Sequence, residues 1–217
     1  AFMEDFARLQ EVVGRVGNDA SLRFAVDTDD PANGARVQAV QERATAIFNR
    51  LIFFELEWAE VPDVRVDELL AAPSLAASAH HLRSARRYRP HLLTEPEEKI
   101  LSDKAVTGSS AWSRLFSELT SAITVDLPAA ATGGEPRQGS LEEGLSLLSH
   151  PDRSVRQAAA GAVTEGLRPG LRTRAYVFNT LLADKATDDR LRRYDTWVSS
   201  RNLSNEASDA SVQALVD

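Results

Sequence analysis

The residues able to bind a metal or start a reaction are few in this chain, and their spacing argues against both. The four histidines are His80, His81, His91 and His150. A helical zinc peptidase needs His-Glu-x-x-His, which puts two imidazoles on one helix face and a general base between them. None of the four histidines is followed by Glu, and no two are four residues apart. His80 and His81 are neighbours, so on a helix they diverge by about 100° and do not share an ion. The absence of cysteine excludes disulfides and thiolate metal sites. Gly-x-Ser-x-Gly, the Gly-x-x-x-x-Gly-Lys phosphate loop and Gly-x-Gly-x-x-Gly are all missing. Asp27, Asp29 and Asp30 lack the spacing and bidentate Glu of a calcium loop and sit where a helix cap belongs. No catalytic residue and no metal ligand is therefore assigned.

Two polar stretches remain. Arg86-Arg87-Tyr88-Arg89-Pro90-His91 and Arg201-Asn202-Leu203-Ser204-Asn205 each place several donors beside a chain break. Such groups can hold a peptide carboxylate or carbonyl, and they can equally tie down their own loops. Arg87, Tyr88, His91, Arg201 and Asn202 are the candidate ligand contacts.

The elements that would position them are helical. The 217 residues are 43% hydrophobic and 26% charged, a globular composition with net charge −7. That charge repels phosphate backbones, so nucleic acid is not an expected partner. No apolar run approaches the roughly 20 residues of a membrane span, and no signal peptide is visible. A cysteine-free acidic chain suits the cytoplasm.

The strongest periodic signal is Val37, Val40, Ala44, Ile47, Leu51, Phe54 and Trp58. This spacing predicts one long helix over about 31–60, capped by Asp29 or Asp30, ended by Pro62 and facing partner helices along a continuous seam. Phe2, Phe6, Leu9, Val12 and Val13 predict a buried stripe before it. Shorter helices follow between Val66 and Tyr88, punctuated by Pro73 with Ser74 as a cap. Thr94-Glu95-Pro96-Glu97 and Ser140-Leu141-Glu142-Glu143 have capping-box spacing. Thr107-Gly108 stops one helix and Ser109 or Ser110 opens the next. Ile123 to Leu127 alternates, so a small β excursion is expected near 123–139. Asp152 caps a helix that Pro169-Gly170 interrupts, Asp188 to Asn205 reads as a polar connector, and a last helix starts near Ser208 or Asp209.

The segments from Arg86 to Leu101, Thr107 to Phe116, Pro151 to Ala159, Asn179 to Lys185 and Asp189 to Tyr194, in this order, resemble the non-catalytic helical part of oligoendopeptidase F, a zinc peptidase family. The resemblance implies an all-α, multi-helix wall of a channel in which a bacterial cytoplasmic enzyme cuts short peptides. It also implies a zinc held by a separate catalytic domain downstream, with no cofactor in this chain. The five candidate contacts then become candidate channel-lining residues. The Pro169-Gly170 break departs from the family's pattern, where a helix should continue.

The expected organisation is a helical region over 1–127, a loop or irregular hairpin over 128–139, and a second helical region over 140–217, cut before the zinc domain. Both ends read as lying inside helices, so a longer protein is expected and this chain alone should be inactive. The alternative is a free-standing helical module that binds a partner helix along the Val37–Trp58 seam. A reading frame that continues into a zinc motif would exclude that alternative.

Overall fold

The structure, a computed structural model, describes residues 2–217. The fold is all-α apart from one short hairpin among the described residues. In order the elements are α1 (Phe2–Val26), α2 (Pro31–Phe48), α3 (Ile52–Glu60), α4 (Asp63–Leu70), α5 (Ala79–Arg86), α6 (Glu95–Thr107), α7 (Ser109–Ser121), β1 (Thr124–Leu127), α8 (Ala129–Thr132), β2 (Arg137–Ser140), α9 (Leu141–Ser146), α10 (Arg153–Leu167), α11 (Leu171–Leu191), α12 (Ser199–Ser204) and α13 (Asp209–Val216). Short 3-10 turns occupy Pro73–Ser78, Arg89–His91 and Leu147–Ser149. No helix among the described residues is long and apolar enough to cross a membrane.

Local caps start these helices where the sequence places them. Asp30 accepts the Ala32 N–H at 2.9 Å, and Asp152 accepts the Ser154 N–H at 2.7 Å. Ser140 and Ser208 accept from Glu143 and Ser211 at 3.1 Å each. At Thr94 the box is one-sided: Glu97 accepts from both the Thr94 N–H and its hydroxyl, and those bonds hold the Glu97 carboxyl below its usual range. Pro73 opens a 3-10 turn, and Ser74 caps nothing there.

Three expectations need correction. The helix expected over 31–60 is two helices, α2 and α3, parted at residues 49–51. There the Arg50 and Leu51 N–H groups reach back only three residues, to Ile47 and Phe48. The Asn49 side chain is drawn away to donate to Asp103 at 2.6 Å, and Asn is a weak helix former that competes with its own backbone. The seam is also less buried than its period implies. No residue of α2 is buried, and Val12 of α1 is 55% exposed while Phe6 is 8% exposed. The polar connector expected from Asp188 is in part helix. Ion pairs Lys185–Asp189 at 2.5 Å and Arg192–Asp188 at 3.0 Å carry α11 to Leu191. Pro169-Gly170 does end α10, with Gly170 at φ 71°.

The chain forms two compact units. The first holds residues 1–19, 38–107 and 183–217; the second holds 20–37 and 108–182, so the 128–139 loop lies inside it. In the first unit Trp58, Val66, Leu70 and Leu82 form the core. The Trp58 indole donates to the Leu82 carbonyl at 2.8 Å. Arg86 closes the α3–α4 corner, donating to the carbonyls of Trp58 at 2.5 Å and Val61 at 2.8 Å.

In the second unit β1 and β2 pair antiparallel, Thr124 opposite Ser140 and Leu127 opposite Arg137. Alternation turns Val125 and Leu127 inward onto Ile123, Leu141 and Val163. Helix α10 reaches this sheet because Gly166 has no side chain. A Cβ there would lie 2.7 Å from Val125 Cγ1 and 3.0 Å from the Thr124 carbonyl oxygen. Gly161, five residues earlier on the same helix, would meet nothing within 4 Å. The two glycines therefore respond oppositely to alanine. Gly166→Ala should destabilise by about 1–3 kcal/mol through overpacking. Gly161→Ala should stabilise by roughly 0.5–1 kcal/mol through helix propensity. Urea unfolding monitored by circular dichroism measures both.

Candidate functional site

A cleft of about 430 Å³ opens in the first unit, a size suited to a small ligand or part of a peptide. Ile52, Glu55 and Leu56 of α3 form one wall, and His81, Ser84 and Ala85 of α5 another. Tyr88, Leu92, Glu98, Arg192, Leu203, Ser204 and Glu206 complete it.

One ion pair fixes the deep side. Arg192 Nη1 and Nη2 donate to the two Glu98 oxygens at 2.8 and 2.9 Å, a parallel fork across 94 residues of sequence. Arg192 Nε donates to Asp188 at 3.0 Å, and the Leu93 N–H donates to Glu98 at 3.0 Å. The side chains of Glu98 and Arg192 are 13% and 22% exposed. Burial works against the charged form of Glu98, but the bonds from Arg192 and Leu93 outweigh it and hold the carboxyl below its usual range. The bonds Arg192 donates to Glu98, and then the charges of Glu98 and Asp188, raise Arg192 further above the ordinary guanidinium value.

Two helix ends shape the rim by an unusual choice of residue. After α11 the Tyr194 N–H bonds the Asp189 carbonyl and the Arg193 N–H bonds the Arg190 carbonyl. After α12 the Ala207 N–H bonds the Asn202 carbonyl and the Glu206 N–H bonds the Leu203 carbonyl. Both are Schellman closures, whose left-handed position usually takes glycine. Here it holds Arg193 at φ 61° and Glu206 at φ 54°. Each side chain is anchored in return. Arg193 Nη2 donates to the Leu92 carbonyl at 3.0 Å, and Ser84 donates to Glu206 at 2.8 Å. Glu206 also meets His80 Nε2 at 3.1 Å, and these contacts, the Ser84 bond foremost, hold its carboxyl below the usual range.

Of the five residues singled out in the sequence, Tyr88 lines the cleft. Arg87 is exposed at the end of α5, where its charge acts on Glu206. His91 stands outside the lining: its Nδ1 is 2.8 Å from the Arg192 carbonyl oxygen, and its ring stacks on Tyr194 at 3.9 Å. Burial pushes the Tyr194 phenol up. Arg201 is exposed on α12. Asn202 is buried and donates to Asp209 at 2.8 Å, a tie between α12 and α13. Sequence reasoning missed Glu55, Glu98, Arg192 and Glu206. Only the Asp188–Arg192 spacing hinted at any of them.

The histidines do not converge. His80 and His91 hold the partners just described, and His150 Nδ1 accepts the Asp152 N–H at 3.1 Å. No cluster of three metal-binding side chains occurs among the described residues.

Two outcomes follow from the ion pair and the strained turn. Glu98→Gln should cost about 2 kcal/mol at neutral pH by removing the charge that the Arg192 fork faces and leaving Asp188 to pair with Arg192. Because the Glu98 pKa is lowered on folding, its contribution is present above the unfolded value and is lost as pH falls through the folded one. The variant should therefore show a shallower loss of stability below about pH 4.5. Urea titrations at several pH values test this. At position 193, Arg193→Gly should be more stable than Arg193→Ala by about 1 kcal/mol, since both lose the bond to Leu92 but only glycine relieves the left-handed backbone.

Residues 57–124 match the family model described as Oligopeptidase F. The crystal structure of oligoendopeptidase-F from Enterococcus faecium superposes with a TM-score of 0.83 at 21% identity, covering 99% of this chain and 41% of that one. A protein of Chlamydophila abortus described as a candidate peptidase superposes with a TM-score of 0.63 at 19% identity, covering 99% of this chain and 36% of that one. No curated protein matches the chain by sequence. The chain thus spans less than half the length of either solved structure. In sequence over residues 57–124 and in fold over nearly its whole length, it resembles oligoendopeptidase F.

Proposed function

We propose that this chain is the helical, non-catalytic part of a zinc oligoendopeptidase that hydrolyses short peptides in the bacterial cytoplasm. It forms wall and not machinery, shaping the channel and keeping folded substrates out. The observation that carries this reading is the coincidence of the Oligopeptidase F match over residues 57–124 with a fold shared over 99% of the chain. Its own residues do not suit a zinc ion. His80 and His81 are adjacent, and His80, His91 and His150 are each engaged by protein groups. Hydrolysis is therefore assigned to another part of a longer protein, and no step of it to a residue of this chain.

A second reading has one observation in its favour. Val12, Val13, Val16, Ala39, Val40, Ala44 and Ile47 line an open groove of about 430 Å³ in the first unit, with Arg43 the one charged residue on it. An apolar groove between two helices suits a partner helix, as a free-standing binding module requires.

One experiment decides between them. The protein encoded by the natural gene, purified without chelator, should carry roughly one zinc per chain. It should cleave a quenched fluorescent peptide, lose that activity to a chelator and regain it with zinc. The 217-residue chain alone should show no cleavage. Failure of the natural protein to cleave any of a mixed set of short peptides with zinc supplied would overturn the peptidase reading in favour of the binding module.

A further inference from the structure

The 430 Å³ cleft has a neighbour of about 630 Å³ in the same unit, and the two share Leu56 and Leu92 as lining residues. They adjoin at those two leucines, with α3 supplying residues to both. Glu55 lines the first, while Glu57 and Glu60 line the second.

The state of the charges separates these three carboxylates from the others. Seven carboxylates and two guanidinium groups line the pair of clefts. Glu98 is paired with Arg192 and Glu95 with Lys99 at 2.5 Å, while Glu206 and Glu97 keep their charge but are held in place by the hydroxyls of Ser84 and Thr94. Glu55, Glu57 and Glu60 have no hydrogen-bond or ion-pair partner among the described residues. Of the two guanidinium groups, that of Arg192 is taken up by Glu98 and Asp188, and that of Arg193 donates to Leu92. The paired clefts, with Leu56 and Leu92 common to both linings, thus carry excess negative charge that the protein itself does not neutralise.

We propose that the two clefts together bind a basic peptide, with cationic side chains set against Glu55 on one side and Glu57 and Glu60 on the other, and an apolar side chain seated on Leu56 and Leu92. The proposal rests on the reading of the protein as one that handles peptides, and it names their charge class. The spacing fits an extended chain. Glu55 and Glu60 diverge by about 140° around α3 and lie about 7.5 Å apart along it, which at a side-chain radius of roughly 6 Å separates their carboxylates by about 12–14 Å, with Leu56 between them. An extended peptide presents every second side chain on one face at intervals of roughly 6.6–7 Å. The pattern cation-x-apolar-x-cation then aligns its three same-face side chains with Glu55, the two leucines and Glu60.

The test is fluorescence anisotropy on the natural full-length protein, with chelator present so that the outcome does not depend on hydrolysis. The probes are labelled Ala-Arg-Ala-Leu-Ala-Arg-Ala and the same peptide with citrulline in place of both arginines. Two exposed ion pairs should make the arginine peptide bind about tenfold more tightly at low ionic strength. The difference should shrink in concentrated salt. Glu55→Gln combined with Glu60→Gln should bring the two peptides within roughly threefold of each other. Both side chains are exposed and unpaired, so this variant should fold as the parent does. Equal affinity for the two peptides overturns the proposal, even if the protein proves to be a zinc peptidase. A preference that survives the double substitution also overturns it. A charge preference abolished by the substitution, in a protein that cleaves no peptide, upholds the proposal and removes the peptidase reading.

Discussion

The fork between Glu98 and Arg192 is the constraint on which the first unit's cleft depends. It joins the first turn of α6 to the end of α11, groups separated by 94 residues, and it does so with both side chains largely out of water. Such a pair stabilises only when its remaining lone pairs and protons are also satisfied. Here four of the five guanidinium protons are placed: beside the two on Glu98, Nε donates to Asp188 and Nη1 also leans on the His91 carbonyl at 3.4 Å, while the Leu93 N–H donates to Glu98. Glu98 also sits in the first turn of α6, where the helix dipole favours an anion. The geometry that follows is not local to the pair. The Arg192 carbonyl meets His91, the His91 ring stacks on Tyr194, and Arg193 turns left-handed to reach Leu92.

The second unit is held by shape instead. An isolated two-stranded hairpin is marginal in water. This one persists because α9 and α10 cover its inner face, burying Val125 and Leu127 to 1% exposure. Covering it so closely requires glycine on both helices. A Cβ at Gly144 would stand 2.8 Å from Val163, much as one at Gly166 would crowd Val125. Across the outer edge Arg137 is paired with Glu143, which lowers the Glu143 carboxyl and removes Glu143 from the capping role its spacing suggests.

What the sequence made legible is what the chain decides within a few residues. Asp30, Asp152, Ser140 and Ser208 cap helices because a short side chain reaches an N–H two or three residues ahead. Gly170 ends α10 for an equally local reason. The break at Asn49 was hidden because its cause is Asp103, far along the chain, while the apolar period runs through the break undisturbed. The ends of α11 and α12 were hidden because both closures use a charged residue where a glycine would have announced them. The candidate site divided the same way. Tyr88 was visible as a polar residue beside a break. Arg192 and Glu98 became a site feature only once the fold had brought α6 and α11 together. His91 and Asn202 attracted notice for polarity that the fold spends on tying its own turns.

A surface of this kind can select what binds it, and the means available are shape and uncommitted charge. Every strong cation lining the two clefts is already engaged, and so are four of the carboxylates. What remains is borne by α3, a helix fixed at its far end by the buried Trp58 and by Arg86, whose guanidinium stands 5.7 Å from the Trp58 ring. That anchoring matters because an exposed carboxylate on a mobile segment is screened and averaged, while one on a rigid helix keeps its direction. The Arg86 clamp, the Glu98–Arg192 fork and the two left-handed closures all serve to hold charge in place or to cancel it. The net result is a fixed, negative surface whose sign follows from which carboxylates the fold left unpaired.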